Sequence, residues 1–557
     1  MNRRGRAPAR PATALAALLL LAACSDGKPG AAGAAGSAGA GGAARVGTRP
    51  AATQELTRGF DAGGVRSLDP SLATDIPAER VLDDLFEGLT RLDVAGEPAP
   101  GVAERWEQSA DGLAWTFHLR AAQWSNGEPV RASEFVQAWR RTLDPRTASD
   151  ISQILAPLAN AQAIAEGRAD PATLGAEALD ERTLRVRLDR PTPYLLALLG
   201  MSFMAPQYQP AIAQWGERWT EPAHLVCNGA FSLSESVLGG RITLLRNPRY
   251  WNAASVHLTR VTYIPADRSV QTDRYFAGEM QFTDSFSAEQ VRWLRERLGS
   301  QVVTGPYLGN FVIGLNVERP PFAGNLALRR ALTLAVDRNE LVRYVRQGLY
   351  EPAWTPVPPI KGYPTPVPDW ARLPDEERHA LARRYYAEAG YSPQHPLRVA
   401  FHYPTDSDNR RTYEAVAAMW RQNLGAEVGT YNEEFRVQLG ERHLHQLPMF
   451  HYAWIGDFPD PYTFLQLFRT GFGYNDGGYS NPRYDALLDA ASATADPGLR
   501  YRMLADAERI LDEDVASIPL YYYSSRHLIK PWVRGWQPNL QDRNLSQYML
   551  LLEHEGR

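Results

Sequence analysis

Lysine and cysteine are both scarce in this chain of 557 residues. Its three lysines are Lys28, Lys361 and Lys530, so Schiff-base and serine–lysine chemistries have few candidates. Its two cysteines are Cys24 and Cys227. If Cys24 serves another purpose, Cys227 has no partner within the chain, and no disulfide framework is available. Stability must therefore come from packing.

Motifs of common catalytic sites are also missing. The sequence has no G-x-S-x-G, H-E-x-x-H, P-loop or C-x-x-C pattern. Asp457 and Asp460 could form a pair of acids for glycoside chemistry, but nothing in the sequence sets their separation. We therefore predict no enzymatic activity and no cofactor.

A histidine cluster is the best metal candidate. His443 and His445 would share one face of a strand, with Glu441 and His451 nearby, so a zinc site is conceivable. The alternative, which we favour, is a set of solvated polar residues before a strand. We predict no metal.

Long apolar runs are absent beyond the first residues. Four arginines precede an apolar stretch from Ala14 to Ala23, which is shorter than the roughly 20 residues that span a bilayer and typical of a signal peptide. The exit Leu21-Ala22-Ala23-Cys24 resembles the lipobox of bacterial lipoproteins, with an ordinary secretory signal as the alternative. The interpretation is a signal peptide over residues 1–23 and a lipid on Cys24.

Residues 24–53 are mostly Gly, Ala and Ser, which predicts a flexible linker after the lipidated cysteine. We expect a location in the periplasm or cell envelope, with the lipid as the membrane anchor. Without residues 1–23 the chain carries 55 basic and 63 acidic residues, which argues against nucleic acid as a partner.

The remaining chain is long enough for two or three domains. Apolar and polar residues alternate over 115–120 and 184–189, which predicts half-buried strands. Helical spacing marks 81–89, 331–336 and 499–511, and Gly239-Gly240 separates two strand-like runs as a hairpin would. The pattern indicates a mixed α/β protein.

Blocks of sequence spread over about 450 residues resemble the oligopeptide-binding proteins of ABC importers, in solute-binding protein family 5. Each block alone is only a helix or a turn, and their order makes the match specific. The blocks are Ser67-Leu68-Asp69-Pro70, Asp84-Leu85-Phe86-Glu87-Gly88-Leu89, Pro100-Gly101-Val102-Ala103-Glu104-Arg105-Trp106, Trp115-Thr116-Phe117-His118-Leu119-Arg120, Trp124-Ser125-Asn126-Gly127, Asn228-Gly229-Ala230-Phe231, Asn247-Pro248-Arg249-Tyr250-Trp251, Ala331-Leu332-Thr333-Leu334-Ala335-Val336-Asp337-Arg338 and Trp454-Ile455-Gly456-Asp457-Phe458-Pro459-Asp460-Pro461.

The resemblance implies a type II periplasmic-binding-protein fold, with two lobes, three domains and a ligand cleft that closes by a hinge. The expected divisions are domain I over 54–77, 207–308 and 521–557, domain II over 78–206, and domain III, the second lobe, over 309–520.

The resemblance also implies a site for short peptides. An extended peptide can pair its backbone with strand edges, while pockets that hold bridging water molecules accept varied side chains. In the family the aspartate of the W-x-x-D motif receives the ligand ammonium, and that position is Asp457 here. Trp454 and Trp420 are expected in the pocket walls, and Ala453 beside them. Asn228-Gly229 resembles a turn near the cleft, although alone it is simply a favourable turn dipeptide.

Three positions depart from the family pattern. Two of them concern recognition of the ligand carboxylate, and the third concerns a link between the lobes. Many enterobacterial members carry an arginine for the carboxylate of tripeptides where this chain has His451, and a histidine for longer peptides falls near Asn409. Gly309 and Ile455 stand at the places of a disulfide that joins the lobes in those members. We therefore expect His451 and Asn409 near the ligand, with its length and carboxylate recognition left open.

The predicted function is capture of short peptides by a monomeric lipoprotein and delivery to the permease subunits of an ABC transporter. A first rival keeps the fold and binds a cell-wall peptide or another amine-bearing solute. A second is an envelope metal-dependent hydrolase that uses the histidine cluster. A third is a sensory or folding-assistant role without a transporter.

Overall fold

The computed structural model describes residues 45–405 and 407–555. The predicted signal peptide, Cys24 and the linker up to residue 44 lie outside these residues. No helix within the described ranges is both long and apolar enough to cross a membrane.

The strands of the described chain fall into several sheets. In chain order they are β1 (Arg45–Pro50), β2 (Glu55–Phe60), β3 (Thr90–Leu92), β4 (Pro98–Pro100), β5 (Ala103–Gln108), β6 (Ala114–Leu119), β7 (Ala176–Asp180), β8 (Thr183–Arg187), β9 (Phe231–Ser236), β10 (Ile242–Arg246), β11 (Arg260–Pro265), β12 (Val302–Leu315), β13 (Glu351–Pro352), β14 (Arg398–Pro404), β15 (Glu427–Glu433), β16 (Met449–Ile455), β17 (Ser517–Leu528), β18 (Val533–Arg534) and β19 (Leu550–Glu555).

The helices lie between these strands and pack on their faces. They are α1 (Ile76–Leu85), α2 (Ala132–Leu143), α3 (Ala161–Ala165), α4 (Leu195–Leu198), α5 (Gln209–Trp215), α6 (Arg268–Phe276), α7 (Val291–Leu298), α8 (Leu326–Leu334), α9 (Arg338–Glu340), α10 (Asp375–Glu388), α11 (Ser407–Leu424), α12 (Phe435–His443), α13 (Tyr462–Leu465), α14 (Pro482–Ser492) and α15 (Pro497–Asp514).

The first lobe is built on small sheets. One has the order β2-β11-β10-β9, and another has the order β5-β6-β8-β7. In β6 and β8 buried residues alternate with half-buried or exposed ones, as the sequence pattern predicts. The predicted hairpin is also present, since β9 and β10 pair antiparallel and Gly239 adopts a φ of 65° in the turn.

The predicted end of the flexible linker, at residue 53, is wrong. β1 pairs antiparallel with β19, so residues 45–50 form a strand and not a flexible segment. Leu551 supports the residues that follow, because its carbonyl accepts bonds from Ala51 N and Gln54 Nε2, each at 2.8 Å. The C-terminal strand supplies this pairing from some 500 residues away, and composition alone gives no sign of it.

The second lobe is organised around one large sheet with the order β13-β17-β12-β16-β14-β15. Alternate residues of β12 face opposite ways, so Phe311 and Ile313 pack into one core and Val312 into another. Helices α8, α10 and α11 contribute to the first core, and α13 to α15 contribute to the second.

Two neighbouring strands run through both lobes. β12 and β17 pair in two blocks, 302–306 with 524–528 and 310–314 with 517–522, and the register shifts between them. Leu528 packs with Tyr275 and Phe286 of the first lobe, whereas Phe311 lies in the core of the second. We propose the register shift as the hinge, close to the predicted boundaries at 308/309 and 520/521.

Candidate functional site

A cleft with two cavities lies between the lobes. The outer cavity has a volume of about 540 Å³ and the inner cavity about 210 Å³. Both are lined by Ile76, Arg80, Tyr307, Ile455 and Asp542, so the two cavities adjoin each other. The volume of the outer cavity falls within the range of small-ligand pockets.

Helix α1 forms the first-lobe wall of the inner cavity. Asp75 caps the helix by accepting a bond of 2.8 Å from Ala78 N. Positions three and four residues apart share a helix face, which places Glu79, Arg80 and Asp83 together in the cavity lining. The residues between them, such as Val81 and Leu82, are buried on the opposite face.

Ion pairs of the first lobe hold most of the charges in this lining. Arg80 pairs with Asp542 at 2.8 Å and also with Asp284. Arg543 donates from Nε to Asp83 Oδ2 at 3.0 Å, and its Nη1 lies 3.8 Å from Glu79 Oε2.

Asp457 differs from the other carboxylates of the inner cavity. It follows the end of β16 in the second lobe and is half-buried. Its Oδ2 accepts a bond of 3.4 Å from Thr463 Oγ1, and its backbone N–H donates to the same hydroxyl at 3.2 Å. Among the described residues, no basic side chain lies within 4 Å of this carboxylate, which is the distance limit for an ion pair.

The electrostatics of the inner cavity favour a cation. Four carboxylates line it against two guanidinium groups. Burial raises the pKa of Asp457 to about 6. Burial also raises the pKa of Glu79 to about 7, where Arg543 opposes the rise and Asp83 and Asp457 add to it. Because a desolvated anion is stabilised by a nearby positive charge, a bound ammonium would meet a matching partner at Asp457.

The strand β16 places the predicted site residues on opposite faces of the sheet. Ala453 lines the outer cavity, as does Ile455 two residues later. Trp454 faces the other way and lines neither cavity. Its indole Nε1 donates to Thr463 Oγ1 at 3.3 Å, so it supports the hydroxyl that holds Asp457.

The structure does not support the expectation that His451 meets the ligand carboxylate. His451 shares the strand face of Ala453, but it is buried and its Nδ1 bonds with Tyr413 OH at 2.5 Å. Burial and the charges of Arg442 and Arg346 lower its pKa to about 3. A neutral, buried imidazole has no charge for a carboxylate.

Trp420 is a core residue, and its expected place in the pocket wall is wrong. Its side chain is fully buried in the second lobe, where Nε1 donates to Leu332 O at 2.9 Å. It lies on the apolar face of α11 with Tyr413, Val416 and Leu424. These positions follow helical spacing, so the pattern itself was the signal of a core residue.

Asn228 and Gly229 fasten the end of α1 and line neither cavity of the cleft. Asn228 Nδ2 donates to Glu87 O at 2.8 Å, while its Oδ1 accepts from Glu87 N at 3.0 Å. Gly229 N donates to Leu85 O at 2.8 Å, and a Cβ there would lie 2.5 Å from Leu85 C. Asn409 lies in the first turn of α11, half-buried and away from both linings.

The proposed histidine cluster does not converge. His443 ends helix α12, so it does not share a strand with His445. His443 Nδ1 lies 2.6 Å from Asp476, His445 Nδ1 lies 2.8 Å from Glu318, and His451 bonds with Tyr413. The three histidines therefore have separate partners.

Another group does bring ligand atoms together. His402, Glu433 and Glu441 each place one such atom within 4.8 Å of the others. His402 is in register with Phe450 of β16, so it lies on the sheet face opposite Ala453. This group is separate from the cleft.

Several residues of the cleft escaped the sequence reasoning. Glu79 and Asp83 carried a weak signal, because their spacing of four places them on one helix face. Arg526, Asp542 and Arg543 carried none, since the fold brings them to α1 from more than 400 residues away.

Comparisons with known proteins agree on one family. The model of the bacterial extracellular solute-binding proteins, family 5, matches residues 97–476. The periplasmic oligopeptide-binding protein OppA of Escherichia coli K12 is 35% identical over 515 residues, which cover 91% of this chain and 94% of that protein. The periplasmic murein peptide-binding protein MppA of the same organism is 36% identical over 514 residues, covering 91% and 95%.

A solved structure has the same architecture. OppA of Burkholderia pseudomallei superposes with a TM-score of 0.79 at 33% identity, covering 90% of this chain and all of that one. The predicted type II periplasmic-binding-protein fold with a cleft between two lobes is thereby confirmed.

Proposed function

This chain belongs to the bacterial extracellular solute-binding proteins of family 5, and from that premise we propose that it captures short peptides in its cleft. The two lobes close over the peptide, and the loaded protein delivers it to the permease subunits of an ABC transporter. OppA and MppA are named for binding oligopeptides and murein peptides in the periplasm, which supports this ligand class and this compartment.

The observation that carries the proposal is the unpaired carboxylate of Asp457. It follows the end of β16 in the second lobe and faces ion-paired side chains of the first lobe. A ligand ammonium at this place interacts with the second lobe directly and with Glu79 across the cleft. Binding and lobe closure are then coupled, because both lobes contribute negative charge to one cation.

We also propose that the protein is a monomer anchored through a lipid on Cys24, and that it binds without chemical turnover. The Leu21-Ala22-Ala23-Cys24 exit supports the anchor. No histidine lines either cavity among residues 45–405 and 407–555, and the histidines of the hydrolase alternative have other partners. Incubation with a peptide library should yield no new fragments.

A cell-wall peptide is the second candidate ligand. Such peptides carry more than one carboxylate. The guanidinium group of Arg526 in the outer cavity has no ion pair within the described chain and suits one of these carboxylates. Competition between a murein tripeptide and trialanine in one titration would rank the two classes.

Thermal unfolding with a broad mixture of short peptides tests the proposal. A ligand that binds only the folded protein stabilises it by about 2.7 kcal/mol at 100 times its dissociation constant. We expect a higher melting temperature for the wild type and a much smaller rise for Asp457→Asn as the matched control. Tryptophan fluorescence should change as well, and Trp454→Phe should reduce that change. A mixture that alters neither signal in the wild type contradicts peptide binding.

A further inference from the structure

The outer cavity holds a buried cation without an anion. Arg526 lines this cavity near the end of β17, and only 7% of the residue is exposed. Its Nε donates to Ser285 Oγ at 3.0 Å, and its Nη1 donates to Tyr350 OH at 3.0 Å. Both partners are neutral, and no carboxylate of the described residues lies within 4 Å.

The acids nearby are already engaged. Asp284 and Asp542 line the same cavity, but both pair with Arg80, and Asp542 also lies 2.7 Å from His527 Nε2. A buried charge is costly unless an opposite charge meets it. Arg526 is therefore a positively charged group of the cleft without an ion-pair partner, just as Asp457 is a negatively charged one.

The two adjoining cavities differ in charge. The inner cavity has an excess of carboxylates, whereas the outer cavity has four carboxylates and four guanidinium groups. A zwitterion that lies along the cleft would find an anion at one end and a cation at the other. The planar guanidinium also suits a carboxylate, because its donors match the two oxygens.

We propose that Arg526 binds a carboxylate of the ligand in the outer cavity while the ligand ammonium pairs with Asp457 in the inner cavity. The inference rests on the proposed function and adds the group that reads the other end of the peptide. Arg526 takes the role that the resemblance assigned to the position of His451. The carboxylate belongs to the C-terminus of the peptide or to an acidic side chain.

Calorimetry with matched peptides tests this assignment. The probes are trialanine, trialanine amide and the amide of Ala-Glu-Ala, with the tetrapeptide series as a second length. For the C-terminal carboxylate, we expect the wild type to bind trialanine at least about thirtyfold more tightly than its amide. Arg526→Gln should remove that preference and leave the affinity for trialanine amide unchanged.

The Ala-Glu-Ala amide separates the two sources of the carboxylate. If it binds the wild type tightly and Arg526→Gln weakens it, the partner is an acidic side chain, and the proposal stands in that form. Arg268→Gln is the matched control, because Arg268 lines the same cavity but is exposed to solvent. A solvent-exposed charge contributes little, so we expect less than about a threefold change.

A structural role for Arg526 predicts a different result. Equal weakening of the acid and the amide by Arg526→Gln would overturn the assignment and leave peptide binding intact. Arg526→Lys keeps the charge and should retain part of the preference for the acid. If Arg526→Gln does not fold, equal affinity of the wild type for trialanine, trialanine amide and the Ala-Glu-Ala amide still overturns the proposal. A wild type that binds none of the peptides overturns the proposed function together with this inference.

Discussion

Peptide binding should weaken as the solution becomes acidic, because the ammonium needs an ionised Asp457. Burial raises the pKa of this carboxyl in the unliganded protein to about 6. At pH 5 only about one tenth of the molecules carry the charge, and an affinity scales with the fraction in the binding-competent state. We therefore expect trialanine to bind about tenfold more weakly at pH 5 than at pH 7.5.

The same pKa shift has a consequence for stability. A carboxyl whose pKa rises on folding destabilises the folded state once it is ionised, and it has no effect below its unfolded pKa. A rise from 3.8 to about 6 corresponds to about 3 kcal/mol. Asp457→Asn should thus stabilise the unliganded protein by up to about 3 kcal/mol above pH 6 and leave it unchanged below about pH 4.

Calorimetry at pH 7.5, 6.5, 5.5 and 5.0 at constant ionic strength measures the binding effect. Asp457→Asn should bind weakly at every pH and lose the tenfold dependence. Asp61→Asn is the matched control, since it removes an exposed acid of the outer cavity, and it should keep the dependence. A flat profile for the wild type, or tighter binding at pH 5, would refute the reasoning.

Three further changes test other parts of the account. Cys24→Ala should release the protein from membranes or stop its processing, as fractionation and mass spectrometry would show, and a freely soluble, unlipidated wild type would contradict the anchor. Gly309→Val should lower the free energy of unfolding by about 1–3 kcal/mol, because a Cβ at Gly309 would lie 2.6 Å from Ile455 Cδ1 and 2.8 Å from Tyr523 Cδ2. Chemical unfolding measures this change, and an unchanged midpoint would refute the close packing. Thr463→Val removes the hydroxyl bonded to Asp457 and Trp454, so binding in calorimetry should weaken by about 1 kcal/mol, and unchanged affinity would show that the hydroxyl does not position the carboxylate.

Local patterns predicted much of the fold. The alternation in β6 and β8 and the hairpin at Gly239 are both present. Asp337 caps α9 by accepting a bond of 2.9 Å from Glu340 N, which is a role typical of aspartate at this position. These features depend on residues close in sequence, where periodicity and capping decide the outcome.

The failures depend on distant contacts. Residues 45–50 form a strand only because β19 pairs with them, and the chain offers no local sign of this partner. The cleft likewise needs Arg543 beside Asp83, two residues that are 460 positions apart. The resemblance pointed to Asp457 as a residue of the cleft. It gave no sign that Arg526 lines the outer cavity, where no acidic side chain pairs with it.

Trp420 shows a different kind of error. Tyr413, Val416, Trp420 and Leu424 follow helical spacing, which is typical of a buried helix face, whereas the place of Trp420 in the pocket wall was implied only by the family resemblance. His451 failed for a similar reason, since a position taken from relatives says nothing about burial. Where local periodicity and a transferred role disagree, the periodicity was the better guide in this chain.

Calorimetry of the wild type with trialanine and N-acetyl-trialanine at pH 7.5 tests the central claim most directly. Acetylation removes the ammonium at the N-terminus and leaves the carboxylate at the other end of the peptide unchanged. Because loss of one partner from a buried charge pair costs about 2–5 kcal/mol, we predict that the acetylated peptide binds at least about thirtyfold more weakly. Equal affinities for the two peptides would remove Asp457 from the binding site and contradict the account.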